Sequence, residues 1–253
     1  MGERVTNGCY VDQTGLKHPP RLSVDEIPND HDVNTILENM RMRATKLVHH
    51  RNRALVALMF DTGLRVGEVM NLTLDDVLYR NGSMIPTHVI VRHGKTEASE
   101  TSQRLTDRAG GILFQWITMR EKRDVPREAP LFCTLVAQNR NIGGVNEPFQ
   151  KLKYAQINVM FHREGERIGL ARMCPHDARH SYAMRMMRAT GNMDLVRRAC
   201  RHASMRSTLI YARAQKEDVE NAIMSLGAER RIETRKEIEE LRERLEALIK
   251  RTS

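Results

Sequence analysis

Cysteine is scarce in this sequence and scattered through it. The four residues, Cys9, Cys133, Cys174 and Cys200, form no C-x-x-C pair. Neither a disulfide frame nor a cysteine zinc site is expected, and the thiols read as reduced side chains of a cytosolic protein. Long apolar runs are missing too: no window approaches the roughly 20 apolar residues that a membrane helix needs. The N-terminus lacks the apolar segment of a signal peptide. No internal repeat is visible. An acidic excess is also absent, since 41 Lys and Arg outweigh 32 Asp and Glu to leave a formal net charge of +9. Such a balance favours a polyanionic partner, with nucleic acid ahead of a membrane surface. Charge alone is equally compatible with a basic protein that simply stays soluble.

What is present is enough for a globular core. The chain has 253 residues, 40% of them hydrophobic, which allows one large domain or two small ones and argues against wholesale disorder. Residues 1–30 are rich in Gly, Pro, Asn and Asp and read as an arm or linker. From Val33 a helical pattern sets in, with Ile36, Leu37, Met40, Leu47, Ala54, Leu55, Leu58 and Met59 at helical spacings over two helices. Asp61-Thr62-Gly63 interrupts it, and Leu64 to Leu72 resumes it. Val89 and Val91 alternate within His88 to Arg92, His93-Gly94-Lys95 is turn chemistry, and the stretch Thr96 to Thr106 supplies a returning strand. Ile112 to Met119 is helical with Trp116 on its apolar side; residues 121–148 look like a long loop; helical character dominates from Phe149. In the tail, Ile238, Leu241, Leu245 and Leu248 step like a coiled-coil seam, flanked by Glu240–Arg244 and Glu246–Lys250 pairs. About two heptads are clear, marginal for an independent coiled coil.

Three short stretches carry candidate chemistry. Pro175 and Asp177 suit a helix start, so His176, Arg179 and His180 fall on one face near a helix N-terminus. Free N–H groups, a guanidinium and an imidazole together suit a phosphate. Two histidines at that spacing also suit a metal, but a fixed cation between them repels a divalent ion. Arg65 follows the glycine turn of Thr62-Gly63-Leu64 and precedes Glu68 by three residues; taken alone this is an ordinary ion pair worth about 0.2–0.5 kcal/mol. His202, in Arg201-His202-Ala203-Ser204, would alone be a surface or capping histidine. Tyr211, in Thr208-Leu209-Ile210-Tyr211, would alone be a helical core tyrosine.

Their order changes the weighing. T-G-L-R-V-G-E, a hairpin with G-K, H-x-x-R-H, R-H-A-S and then T-L-I-Y, with Tyr211 nine positions after His202, resembles the tyrosine recombinase (phage integrase) family over roughly residues 20–220. The resemblance implies a mainly α fold with a small β-sheet or hairpin. It divides the chain into an arm (1–20), a catalytic domain (21–215) and a helical tail (216–253) able to serve in oligomerisation. It matches Arg65 and Arg179 to the two family arginines, Lys95 to the hairpin lysine, His176 to the first motif histidine, His202 to the second His-or-Trp position and Tyr211 to the nucleophile. Glu68 matches a supporter of the first arginine and His180 a supporting position in the His176 helix. In many relatives the nucleophile lies on a mobile C-terminal segment, so a non-productive orientation is expected without DNA.

The implied activity is site-specific cutting and rejoining of double-stranded DNA through a 3′-phosphotyrosyl bond, without ATP, cofactor or metal, by a homo-oligomer of two to four copies on DNA. Elementary chemistry runs parallel to it. Phosphodiester attack adds negative charge to non-bridging oxygens, which two guanidiniums can clamp. A phenol, with an ordinary pKa of about 10, needs deprotonation or charge stabilisation to act as a nucleophile. His176 is the candidate base, Lys95 the candidate acid for the leaving 5′-oxygen, and His202 a donor to a non-bridging oxygen.

The sequence also departs from the family. Arg65 sits too early for the usual N-terminal core-binding domain, so Lys17, Arg21 and the basic stretch Arg41 to Arg53 are candidate backbone contacts, each with solvated charge as its plainer alternative. The hairpin reads Gly-Lys-Thr-Glu-Ala-Ser-Glu, leaving Lys95 as the single candidate in the turn. Arg201 stands where relatives carry a turn glycine; a DNA contact and simple tolerance are both open. The competing functions are a type IB topoisomerase or telomere resolvase, and a catalytically silent DNA-binding regulator of the same fold.

Overall fold

The computed structural model describes residues 26–92, 100–135, 148–170 and 172–202, together with 208, 211 and 242, and the backbone of three short strands near the N-terminus. Those strands, β1 (Val5–Thr6), β2 (Cys9–Val11) and β3 (Lys17–His18), pair antiparallel in the order β1-β2-β3. They lie in the stretch that composition alone suggested as an arm or linker, because strands of two and three residues leave no detectable alternation.

Helix α1 (Asp30–Met42) starts where capping chemistry places it. The Asn29 side chain accepts from the His31 and Asp32 N–H groups at 2.8 and 3.1 Å, and Asp32 accepts the Asn29 N–H at 2.9 Å. Its buried residues Val33, Ile36, Leu37 and Met40 form one stripe. Helix α2 (Leu47–Thr62) follows and is buried on every side from Ala54 to Thr62. Helix α1, helix α3 (Val66–Asn71), helix α4 (Asp107–Glu121) and helix α6 (Pro175–Thr190) all pack on it. An apolar run without a polar face is what such a central helix needs.

A second three-stranded antiparallel sheet has the order β4 (Val77–Leu78), β5 (His88–Arg92) and β6 (Glu100–Arg104). The β5–β6 register runs from His88 opposite Arg104 to Arg92 opposite Glu100. Val89 and Val91 enter the core while their neighbours stay outside it. Among the described residues, the expected returning strand is β6, within the stretch 96–106. Strand β4, two residues long, gave no sequence signal.

Residues 122–135, after the end of α4, belong to the loop expected there. Trp116 donates to the Leu131 carbonyl at 2.9 Å, and the buried Arg120 donates to the Pro130 and Ala129 carbonyls, each at 2.9 Å. Helix α5 (Tyr154–Glu166) contributes Ile157, Met160 and Phe161 to the main core. A smaller cluster joins Ala183, Met184 and Met187 of α6 to Val196 of α7 (Met193–Ala199), Cys200 and Tyr211. Tyr211 is thus seated in an apolar cluster. The tail beyond it, Arg242 apart, lies outside the described residues, as do Lys95 and the hairpin turn.

Candidate active site

The site is assembled at three chain breaks: the end of α2, the start of α6 and the turn after α7. Helix α2 ends at Gly63, whose φ of +62° is a left-handed cap conformation. A Cβ at Gly63 would lie 2.5 Å from Tyr182 Cδ1, so both the backbone and the packing demand glycine. The chain then leaves the helix, and Arg65 stands just before α3, not inside a helix as the resumed periodicity suggested. Glu68 consequently does two jobs. Its Oε2 accepts the Arg65 backbone N–H at 2.7 Å, and its Oε1 takes the Arg65 guanidinium at 3.0 Å. Burial would raise the Glu68 carboxyl, but Arg201 and then the Arg65 backbone and side chain bring it below its ordinary value.

Helix α6 begins with Pro175, and Asp177 accepts the Cys174 N–H at 2.7 Å to close its first turn. One turn in, Arg179 is 2% exposed. It donates to the Gly63 carbonyl at 2.7 Å and to the Cys200 carbonyl. One guanidinium therefore ties the turn before Arg65 to the turn before His202. Burial lowers its pKa, with Arg65 and Arg201 acting in the same direction. An anion placed between these cations would relieve that repulsion.

The third break follows α7. The Arg65 guanidinium donates to the Arg201 carbonyl at 3.2 Å. His202 Nδ1 lies 3.0 Å from the Thr208 hydroxyl, and its ring stacks on Tyr211 with centroids 6.3 Å apart and planes 13° from parallel. Burial pushes the His202 pKa down to about 4, with Arg179, Arg65, His176 and Arg201 adding to the shift. Tyr211 is 2% exposed, and its hydroxyl lies 2.6 Å from His180 Nδ1. His176, on the exposed side, meets His180 edge to face at 4.4 Å between centroids.

Arg65, His176, Arg179, His202 and Tyr211 are therefore brought together, with Glu68 and His180 in contact with them. Lys95 lies outside the described residues. The phenol faces His180, which the sequence reading placed only in support, whereas His176 was expected beside it. Sequence reasoning missed Thr208, although T-L-I-Y contains it, and Gln103, which carries no local signal. It left Arg201 open; the side chain is 9% exposed and turned inward. Among the described residues no three of His, Cys, Asp and Glu gather as metal ligands, and no helix is long and apolar enough to cross a membrane.

Comparison with known proteins points the same way. The chain is 27% identical over 198 residues to tyrosine recombinase XerC of Haemophilus ducreyi, covering 78% of this chain and 58% of that one. It is 25% identical over 197 residues to tyrosine recombinase XerS of Streptococcus pyogenes, covering 78% and 51%. The chain thus spans little more than half the length of these curated relatives. Its fold is similar to that of XerH site-specific recombinase bound to difH substrate, in a pre-cleavage complex (TM-score 0.60, 22% identity, 82% of this chain and 58% of that one). The post-cleavage complex on palindromic difH gives a TM-score of 0.62 at 22% identity, covering 84% and 60%. The sequence model of the phage integrase family matches residues 29–218, three quarters of the chain and all the residues gathered at the site; the chain belongs to the phage integrase family.

Proposed function

We propose that this protein is a site-specific recombinase that cuts and rejoins double-stranded DNA, with Tyr211 as nucleophile. The observation that carries the proposal is the meeting of Arg65 with Arg179, His202 and Tyr211, which lie more than 100 residues further along the chain. Arg65 and Arg179 clamp the non-bridging oxygens of the scissile phosphate and stabilise the charge that develops there. Tyr211 attacks phosphorus, its proton passes to the His176–His180 imidazole pair, and the 5′-oxygen leaves with a proton from Lys95. His202, neutral near pH 7, donates from Nε2 when the Thr208 hydroxyl occupies Nδ1. The 3′-phosphotyrosyl bond keeps the energy of the broken ester, so religation needs no ATP. With charge met by guanidiniums, the reaction needs no metal. Two to four copies assemble on the DNA.

The test uses duplexes from the DNA flanking the gene, nicked beside each candidate position so that the cut fragment diffuses away. The full chain should form an adduct that survives denaturing electrophoresis. Tyr211→Phe should abolish the adduct and retain the mobility shift of DNA binding. An adduct that persists in Tyr211→Phe overturns the assignment. Site-independent relaxation of supercoiled plasmid would indicate a topoisomerase instead, and wild-type binding without any adduct would indicate a silent regulator.

A further inference from the structure

Among the described residues of the active-site turns, Arg201 is the one non-glycine held in the left-handed region, with φ of +53°. A side chain there is strained, and the strain persists only where the surroundings hold it. Arg201 donates to Glu68 Oε2 at 3.1 Å, to Gln103 Oε1 at 2.5 Å and to the Ala199 carbonyl at 3.3 Å. Glu68 grips Arg65 by side chain and backbone, and Arg65 returns to the Arg201 carbonyl. Gln103 lies on β6, near Tyr182, which sits one turn along α6 from Arg179.

We infer that Arg201 is a positioning residue for Arg65: its buried guanidinium bridges Glu68 and the Gln103 end of the β-sheet and so fixes where the Arg65 guanidinium points. This builds on the recombinase reading above and adds a residue to it. The geometry also rules out a DNA contact by the Arg201 guanidinium in this arrangement, because it points inward. A planar fork suits the two acceptors; an ammonium reaches one at a time. The bridge lies outside the set that touches the phosphate, so its loss should act through Arg65 placement. Misplacement by about 1 Å can cost on the order of 10²-fold in rate.

The experiment compares Arg201→Met, Arg201→Lys and Arg201→Gly with wild type in two readouts. In single-turnover cleavage of the nicked duplex, Arg201→Met should be slower by about 10²-fold with DNA affinity nearly unchanged, and Arg201→Lys should recover part of the loss. Combined with Glu68→Gln, Arg201→Met should add little further loss, because both changes break one bridge. In DNA-free protein, the Arg65 guanidinium N–H signal in NMR should be distinct in wild type and averaged towards a free arginine in Arg201→Met and Arg201→Gly. An unchanged Arg65 signal overturns the inference, whether or not the chain cleaves DNA. Wild-type cleavage rates in Arg201→Gly likewise show that Arg201 is only tolerated. Absence of a wild-type adduct would instead count against the recombinase reading, while the Arg65 signal still decides the bridge.

Discussion

At the scale of single residues, protonation is where the site can be tested most directly. His202 is held near a pKa of about 4 against an ordinary 6.5, through burial and neighbouring positive charge. Between these values the unfolded chain binds a proton that the folded chain does not. This residue's contribution to stability is therefore complete above about 6.5 and is lost as the pH falls towards 4. A bound phosphodiester reverses the balance, since a negative charge favours the imidazolium. DNA binding should then take up a proton, and affinity should rise as the pH falls through this window. In NMR titration the His202 midpoint should sit near 4 in the free protein and move upward with a DNA oligonucleotide; the same midpoint in both would contradict phosphate contact.

At the scale of elements, the end of α2 governs the site. Gly63 supplies a left-handed cap, leaves room for the Tyr182 ring and presents the carbonyl that holds Arg179. Gly63→Ala should lower unfolding stability by about 2–4 kcal/mol, combining left-handed strain with overpacking. Urea denaturation measures it, and a change within about 0.5 kcal/mol would show that the turn absorbs a methyl group freely. Cleavage should fall as well, because Arg65 and Arg179 are placed from that same turn. The start of α6 was legible from Pro175 and Asp177, whereas the Asn29 cap of α1 lies in the stretch read as an arm or linker. The end of α3's predecessor loop was not, because Leu64 continues the helical period while its backbone has already left the helix.

At the scale of the whole molecule, the excess of 41 basic over 32 acidic side chains predicts binding dominated by phosphate contacts. Plotted logarithmically, DNA affinity should fall linearly with salt, with a slope near −0.9 for each phosphate neutralised. A flat dependence would remove the electrostatic argument for DNA. Part of the basic charge is already engaged within the protein: Arg51, Arg120 and Arg201 are turned onto carbonyls or acceptors. Formal charge therefore overstates the number of phosphates the surface can meet.

The sequence by itself determined the helices with long apolar periods, the β5–β6 hairpin strands, and the identity and order of the residues that meet at the site. The helices and strands depend on neighbours within a few positions, which local spacing records; the site residues were picked out by the order of their motifs and the family these resemble. Tertiary structure alone decided what those residues do to one another. It put Arg179 on the Gly63 and Cys200 carbonyls, turned Arg201 inward to Glu68 and Gln103, and set the Tyr211 hydroxyl on His180. These bonds join residues from different helices and turns, and only the packing of α6 against α2 and α7 brings them within reach. The physical reason is that hydrogen bonds and burial act through distance in space, on which chain position places almost no limit.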